Sequence, residues 1–260
     1  MSLDSMADIL HCMEQEGKEF WEVVLAADME ERQVSRESSL AKMLTTWQAM
    51  VDASDSYTGD RRSVSGLVGG DGLKMRQYAI RGKAMSGGYV SEVIAEALSM
   101  AESNACMRRI VAAPTAGACG VLPAVLLPLC KYEELNQRQI LEALYVASGI
   151  GAVIAYRGGS GQQICHAVAM ALKNLLGLIC DPVAGLVEVP CVKRNVIGAV
   201  NAVSAADMAL AGIESRIPVD EVIDTMGEVG RRIPVEFRET ALGGLADTPT
   251  GKAIEAKMRD

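Results

Sequence analysis

Residues 164–176 read ICHAVAMALKNLL, apolar almost all round and without the enrichment in β-branched residues that a strand favours. That pattern predicts a central, buried helix. The same texture runs outward through the chain. Half of the 260 residues are apolar and only 4% are aromatic, with Ala, Gly, Leu, Val and Met dominating. Cores of that composition are built from closely packed helices more often than from β-sandwiches, whose strands want β-branched and aromatic side chains. The fold class expected is therefore all-α, a compact multi-helix domain occupying residues 1–260.

Immediately C-terminal to the helix the texture breaks into GLICDPVAGLVEVPCVKRN, residues 177–195. Cys180 stands where Asp181-Pro182 stops any helix, and Cys191 follows Pro190. Both thiols are thus expected on loop backbone, within reach of a metal or cluster. The Lys193-Arg194 pair beside Cys191 is expected to favour the thiolate form that binds iron.

Further out, residues 4–55 show apolar positions at three- and four-residue spacing, among them Leu40, Met43, Leu44, Trp47 and Met50, and predict two or three amphipathic helices. They form an N-terminal layer over residues 1–58. Residues 61–88 are glycine-dense, a loop region flanking a short helix near 73–81. A helix over 89–110 is expected to break near Ser103-Asn104. Pro114 and Gly117 mark a turn into a buried helix, and residues 135–154 contain another, with Asn136 as its cap. Residues 198–213, rich in Ala and Gly, suit close helix packing. Residues 218–232 read as an amphipathic helix with Asp220 and Glu221 early and Arg231 and Arg232 late.

A formal net charge of -8 argues against nucleic acid as a partner. The longest apolar run, 116–130, is interrupted by Pro123 and Pro128 and falls short of the ~20 residues needed to cross a bilayer. The first residues carry acids and no basic stretch, unlike a secretory signal, so a cytoplasmic protein is expected. Seven cysteines, an odd number, make disulfides a poor explanation, and no CxxC pair of zinc-ribbon spacing is present. Cys12, Cys106, Cys130 and Cys165 read as small buried hydrophobes, and Cys119 as a packing residue or a neighbour of the site. No Walker lysine follows the GGDG run and no GxSxG is present, which removes support for nucleotide binding and for a serine hydrolase. His166, set in the apolar helix, reads as a core residue, and His11 carries no signal.

Three glycine-rich patches interrupt the helical pattern: SGLVGGDG (65–72), APTAGACG (113–120) and the cysteine segment itself. Glycine admits positive φ and close backbone approach, so together they suit recognition of a small anion by main-chain N–H groups.

Four long strings carry a specific resemblance. They are SGLVGGDGLKM (65–75), residues 101–127 around PTAGACG, residues 171–218 around LICDPVAGLVEVPCVKRN, and RETALGGLADTPTGKAI (238–254). Together they resemble the alpha chain of the iron–sulfur L-serine dehydratases, over most of residues 60–255. The resemblance implies an ammonia-lyase converting L-serine to pyruvate and ammonia without pyridoxal phosphate. It implies glycine-rich inter-helix loops forming the cluster and substrate site, and a [4Fe–4S] cluster on three cysteines with its fourth iron open to substrate. Cys180 and Cys191 match two of those ligands.

The third ligand has no counterpart. Family members carry an acidic, glycine-rich stretch with a cysteine between the helices matching 135–154 and 164–176, whereas here AVIAYRGGSGQQ (152–163) joins them. Either a further segment belongs between about 155 and 163, the reading favoured, or the chain carries a true deletion. Candidate substrate contacts are Ser65, Asp71, Asn104, Thr115, Lys193, Arg194 and Asn195, with Lys193 and Arg194 placed to meet a carboxylate. The general base is unknown, with Lys193 and Asp71 as candidates. The resemblance also implies a beta chain carrying a second domain and an oligomer, with no membrane partner. The alternatives are a cysteine desulfidase of related fold and a cluster-less, non-catalytic subunit.

Overall fold

The computed structural model describes residues 3–146 and 149–259. Among them twelve α-helices carry the fold: α1 (Met6–Glu16), α2 (Phe20–Arg32), α3 (Arg36–Asp55), α4 (Asp71–Ile80), α5 (Gly87–Ala105), α6 (Val121–Glu133), α7 (Gln137–Tyr145), α8 (Gly149–Tyr156), α9 (Gly161–Lys173), α10 (Cys191–Leu210), α11 (Val219–Arg232) and α12 (Pro249–Arg259). The extended backbone pairs in one isolated parallel bridge, Cys180 with Arg238, so the chain is all-α as its composition predicts. No helix of the described residues is long and apolar enough to cross a membrane.

The residues group into two compact units, one of 1–49, 125–174 and 201–225, the other of 50–124, 175–200 and 226–260. In the first, the helix predicted from ICHAVAMALKNLL is α9. Cys165 and Ala169 on its buried face pack with Val219 and Val222 at the start of α11, and Met6 and Leu10 of α1 close over them. Asp220 reaches back to α1, accepting from the Met6 N–H at 2.8 Å. His166 Nδ1 accepts from the Ser215 N–H at 3.3 Å, in keeping with a core histidine. Asn136 caps α7 in a capping box with Gln139.

Between α8 and α9 the chain runs on without a break. A turn closes the joint, with the Gly159 N–H donating to the Ile154 carbonyl at 2.9 Å. Ser160 then opens α9 in a capping box with Gln163.

The second unit holds both cysteines of the punctuated segment and all three glycine-rich patches. Its small core cluster joins Val68 of the first patch, Leu98 and Ala101 of α5 and Val192 of α10. Val192 is 1% exposed, and full burial of a valine contributes roughly 1.5–3 kcal/mol, so the residue beside Cys191 is an anchor for the first turn of α10. The helix expected over 89–110 ends at Ala105, two residues beyond the predicted break.

Candidate active site

α4 begins in an unusual way. Its N-cap is Gly70, with φ of 79° and no side chain to cap the helix. The first backbone N–H groups of any helix need partners from elsewhere, and here Glu102 of α5 supplies them. Its carboxylate accepts from the N–H of Asp71 at 2.8 Å and of Gly72 at 3.3 Å, and also from the Tyr57 hydroxyl. The Leu73 N–H in turn donates to the Tyr57 oxygen at 3.2 Å. Burial first, and then the hydrogen bond to Glu102, hold the Tyr57 phenol well above its ordinary pKa. The arrangement needs glycine at 72, because a Cβ there would stand 2.5 Å from Ser99 Oγ.

Asp71 is therefore held at the mouth of the GGDG loop with its carboxylate free of the backbone. It pairs with Lys74 at 2.8 Å and with Lys193 of α10 at 3.2 Å. Lys74 foremost, with Lys193 adding to it, lowers the Asp71 pKa. Ser65 lies in the same patch. Its hydroxyl, like that of Ser63, donates to the buried carboxylate of Glu188, three residues before Cys191, and accepts from the Leu67 N–H at 3.1 Å.

The second patch is tied to α10 through Asn195, which is 3% exposed. Its amide donates to the carbonyls of Gly117 at 2.8 Å and Cys191 at 3.0 Å, and its oxygen accepts from the Gly120 N–H at 2.9 Å. Asn104 donates to the Ala116 carbonyl at 3.2 Å, and Thr115 stands exposed at the start of the short turn 116–118. Cys119 is fully buried and its thiol is pushed up to about 12 by that burial, which places it in packing.

The cysteine segment folds back on itself, with the Val183 N–H donating to the Val189 carbonyl at 2.9 Å. Cys180 lies on extended backbone against the chain near the C-terminus: its N–H donates to the Phe237 carbonyl at 2.8 Å and its carbonyl accepts from the Glu239 N–H at 2.7 Å. Asp181, 2% exposed, accepts from the Leu245 N–H at 2.7 Å and forms an ion pair with Arg194 at 2.8 Å. Arg194 also donates to the Ile179 carbonyl at 2.7 Å. The RETALGGLADTPTG string is thus the bed of the Cys180 loop.

Several sequence expectations change. Cys191 is not on a loop; it is the first residue of α10. The basic pair does not lower the thiol pKa values below their ordinary range. Burial foremost raises both thiols, with Glu239 next at Cys180 and Cys180 next at Cys191, and of the two cations only Arg194 opposes the rise. Lys193 faces Asp71 instead. The glycine-rich patches spend the N–H groups of Asp71, Gly72, Ala118, Cys119 and Gly120 on internal acceptors, which leaves those donors unavailable to an anion. Arg194 and Asn195 hold backbone, so of the proposed carboxylate contacts Lys193 is the more available. Glu102, Glu188, Asp181 and Tyr57 were missed; the signal was present, since an acid inside an apolar helix, as Glu102 is, marks a paired group.

Cys180 is close enough to Cys191 for its charge to help raise the Cys191 thiol. A cluster with one open iron needs three thiolate ligands. Among the described residues no three His, Cys, Asp or Glu side chains are gathered to hold a metal ion. The described residues do not fit a [4Fe–4S] cluster, because the three thiolate ligands it needs are not gathered among them.

The family model for the serine dehydratase alpha chain matches residues 15–158 and 151–246. The chain belongs to that family. A Bacillus subtilis (strain 168) protein named as a probable L-serine dehydratase alpha chain is 40% identical over 266 residues, covering 91% of this chain and 89% of the relative. The L-serine dehydratase alpha chain of Peptoniphilus asaccharolyticus is 33% identical over 282 residues, covering 97% of both. A Latilactobacillus sakei protein, also named as a probable L-serine dehydratase alpha chain, is 45% identical over 196 residues, covering 64% of this chain and 94% of that protein. This member of the serine dehydratase alpha chain family matches the Bacillus and Peptoniphilus relatives over nearly their whole length and meets the family model in two overlapping pieces.

Proposed function

We propose that this chain is the alpha chain of an L-serine ammonia-lyase, which eliminates the β-hydroxyl and α-proton of L-serine and releases pyruvate and ammonia in the cytoplasm, working with a beta chain in a larger assembly. The observation that supports this most strongly is the convergence on the first turn of α10. Asp71, Glu188 and Asn195 tie the 65–75 and 101–127 strings to the residues around Cys191, and Asp181, paired with Arg194, ties in 238–254 through the Leu245 N–H.

Within that reading Lys193 meets the substrate carboxylate and is the candidate partner of Asp71 in proton transfer. Exchange of the bound carboxylate for that of Asp71 would cost little, since both Lys193 and Asp71 are solvent-facing. Ser65 and Asn104 hold the walls, and Arg194 and Asn195 act as positioning residues. A [4Fe–4S] cluster, if the family's cofactor were to bind, would draw on Cys180 and Cys191 and on a third ligand that the described residues do not bring beside them.

The test is pyruvate formation, read through lactate dehydrogenase, from anaerobically iron-reconstituted protein with and without a beta chain. L-serine should be turned over in preference to L-cysteine when the beta chain is present, and Lys193→Ala should raise KM by about tenfold or more, the loss of a charge-assisted contact. Absence of pyruvate in every combination would refute the reading. The two-thiol site specifically favours a second reading, a non-catalytic alpha subunit without a cluster. Fewer than about one iron per chain, and no broad absorption near 400 nm, would support it.

A further inference from the structure

Glu188 is 6% exposed, and among the described residues no lysine or arginine forms an ion pair with it. A buried carboxylate is ordinarily matched by a cation. Asp181, in the same segment, has that arrangement, with Arg194 at 2.8 Å. Glu188 has hydroxyls instead, accepting from Ser63 at 2.8 Å and from Ser65. Its carboxylate is hydrogen-bonded, and its charge has no paired counter-charge.

Those bonds fix the polarity of Ser65. A hydroxyl has one proton and two lone pairs. The Ser65 proton is committed to Glu188, and one lone pair takes the Leu67 N–H at 3.1 Å. Ser63, 3.1 Å from Ser65, gives its proton to the same carboxylate, and its oxygen accepts from the Val68 N–H at 3.3 Å. The two serines differ in access: Ser63 is 5% exposed, whereas Ser65 is half-buried. Ser65 therefore offers the solvent side a lone pair and no proton, and the carboxylate behind it makes that oxygen a stronger acceptor. Asp71, the other acid of the patch, is already matched by Lys74 and Lys193.

We infer that Ser65 receives the α-ammonium group of the substrate, and that Glu188, acting through Ser65, is the positioning residue whose charge selects an amine there. The inference rests on the L-serine reading and deepens it. The substrate carboxylate has no proton to give and meets Lys193. The β-hydroxyl can donate but brings no charge. The ammonium group has three protons and carries the positive charge that Glu188 lacks. Ser65 is then the contact that separates α-amino acids from α-hydroxy acids.

The experiment titrates L-serine, and separately L-glycerate with a hydroxyl in place of the ammonium group, into the full chain by calorimetry, alone and with a beta chain. The parent should bind L-serine about tenfold or more tightly than L-glycerate, the worth of one charge-assisted contact. Ser65→Ala and Glu188→Gln should each reduce that preference to about twofold or less, and Ser65→Thr, which keeps the hydroxyl, should restore most of it. Ser63→Ala removes a donor from the same carboxylate without facing solvent, and should keep the preference. A purely structural role for Glu188 would weaken both ligands alike and leave their ratio unchanged. A ratio unchanged in Ser65→Ala, or lost as fully in Ser63→Ala, overturns the inference; these two variants decide it even if Glu188→Gln does not fold. A parent that binds L-serine without preferring it to L-glycerate overturns the inference alone. A parent that binds neither ligand in either form overturns the proposed function, and the inference with it.

Discussion

Replacing Asn195 with alanine tests whether the candidate site is held together in the way its hydrogen bonds indicate. The side chain is 3% exposed and makes three hydrogen bonds, to the Gly117 and Cys191 carbonyls and from the Gly120 N–H. Truncation leaves the Gly120 N–H and the Gly117 carbonyl without partners. Each buried polar group so stranded costs about 1–3 kcal/mol. Alanine repays at most ~0.7 kcal/mol through its higher helix propensity, since Asn195 lies inside α10. The carbonyl of Cys191 keeps its helical environment and adds little. The net loss expected is about 3 kcal/mol. At ~2–4 °C per kcal/mol for a chain of this size, Tm should fall by roughly 6–12 °C in a calorimetric or far-UV CD melt. Asn195→Asp is the informative companion: it retains the acceptor for Gly120 but sets an oxygen against the Gly117 carbonyl, and should be at least as destabilising as alanine. A Tm within about 2 °C of the parent in Asn195→Ala, or an aspartate variant as stable as the parent, would refute the reasoning.

Gly72→Ala places a Cβ 2.5 Å from Ser99 Oγ and 2.9 Å from the Ser99 nitrogen; overpacking of this kind costs ~1–3 kcal/mol, to be read as a lower urea midpoint with unchanged slope. The Asp71 pKa is lowered by Lys74 and then Lys193, so its contribution to stability is complete above the ordinary aspartate value of about 3.9 and is lost as pH falls through the depressed one. The stability gap between the parent and Asp71→Asn should therefore close between about pH 5 and pH 2, and a gap that widens on acidification would contradict the ion pairs. Cys119, fully buried and pushed up to about 12, should resist iodoacetamide at pH 8.5 in the native protein and react after denaturation, as followed by peptide mass spectrometry; rapid native labelling would show that the 113–120 loop opens.

Much of the scaffold was legible in the chain. The buried helix of 164–176, the Asn136 cap and the amphipathic helix beginning at Pro218 follow from periodicity and capping, which are local properties. The importance of 65–72, 113–120 and 177–195 was also visible, because glycine and proline punctuation stands out against an apolar helical background. What those patches do with their N–H groups was not. Whether a loop donor faces a ligand or a buried acid depends on what another helix brings to it, and Glu102 lies 31 residues from Asp71 in sequence. The same reason explains the thiols: a Lys-Arg pair in the sequence suggests a cationic setting, but Lys193 points to Asp71 and burial outweighs Arg194.

By itself the sequence determined the all-α class, the family and the two-cysteine segment, since each is written in local pattern or in long strings. It also exposed the short connection of 152–163, a matter of counting residues. Only the tertiary structure decided that Asn195 and Arg194 are ties to backbone, that Glu102 closes the end of α4, and that a cavity stands beside the 158–161 joint. These are relations between residues far apart in the chain. They depend on which groups share a buried volume, where every donor must find an acceptor and every void lacks contacts.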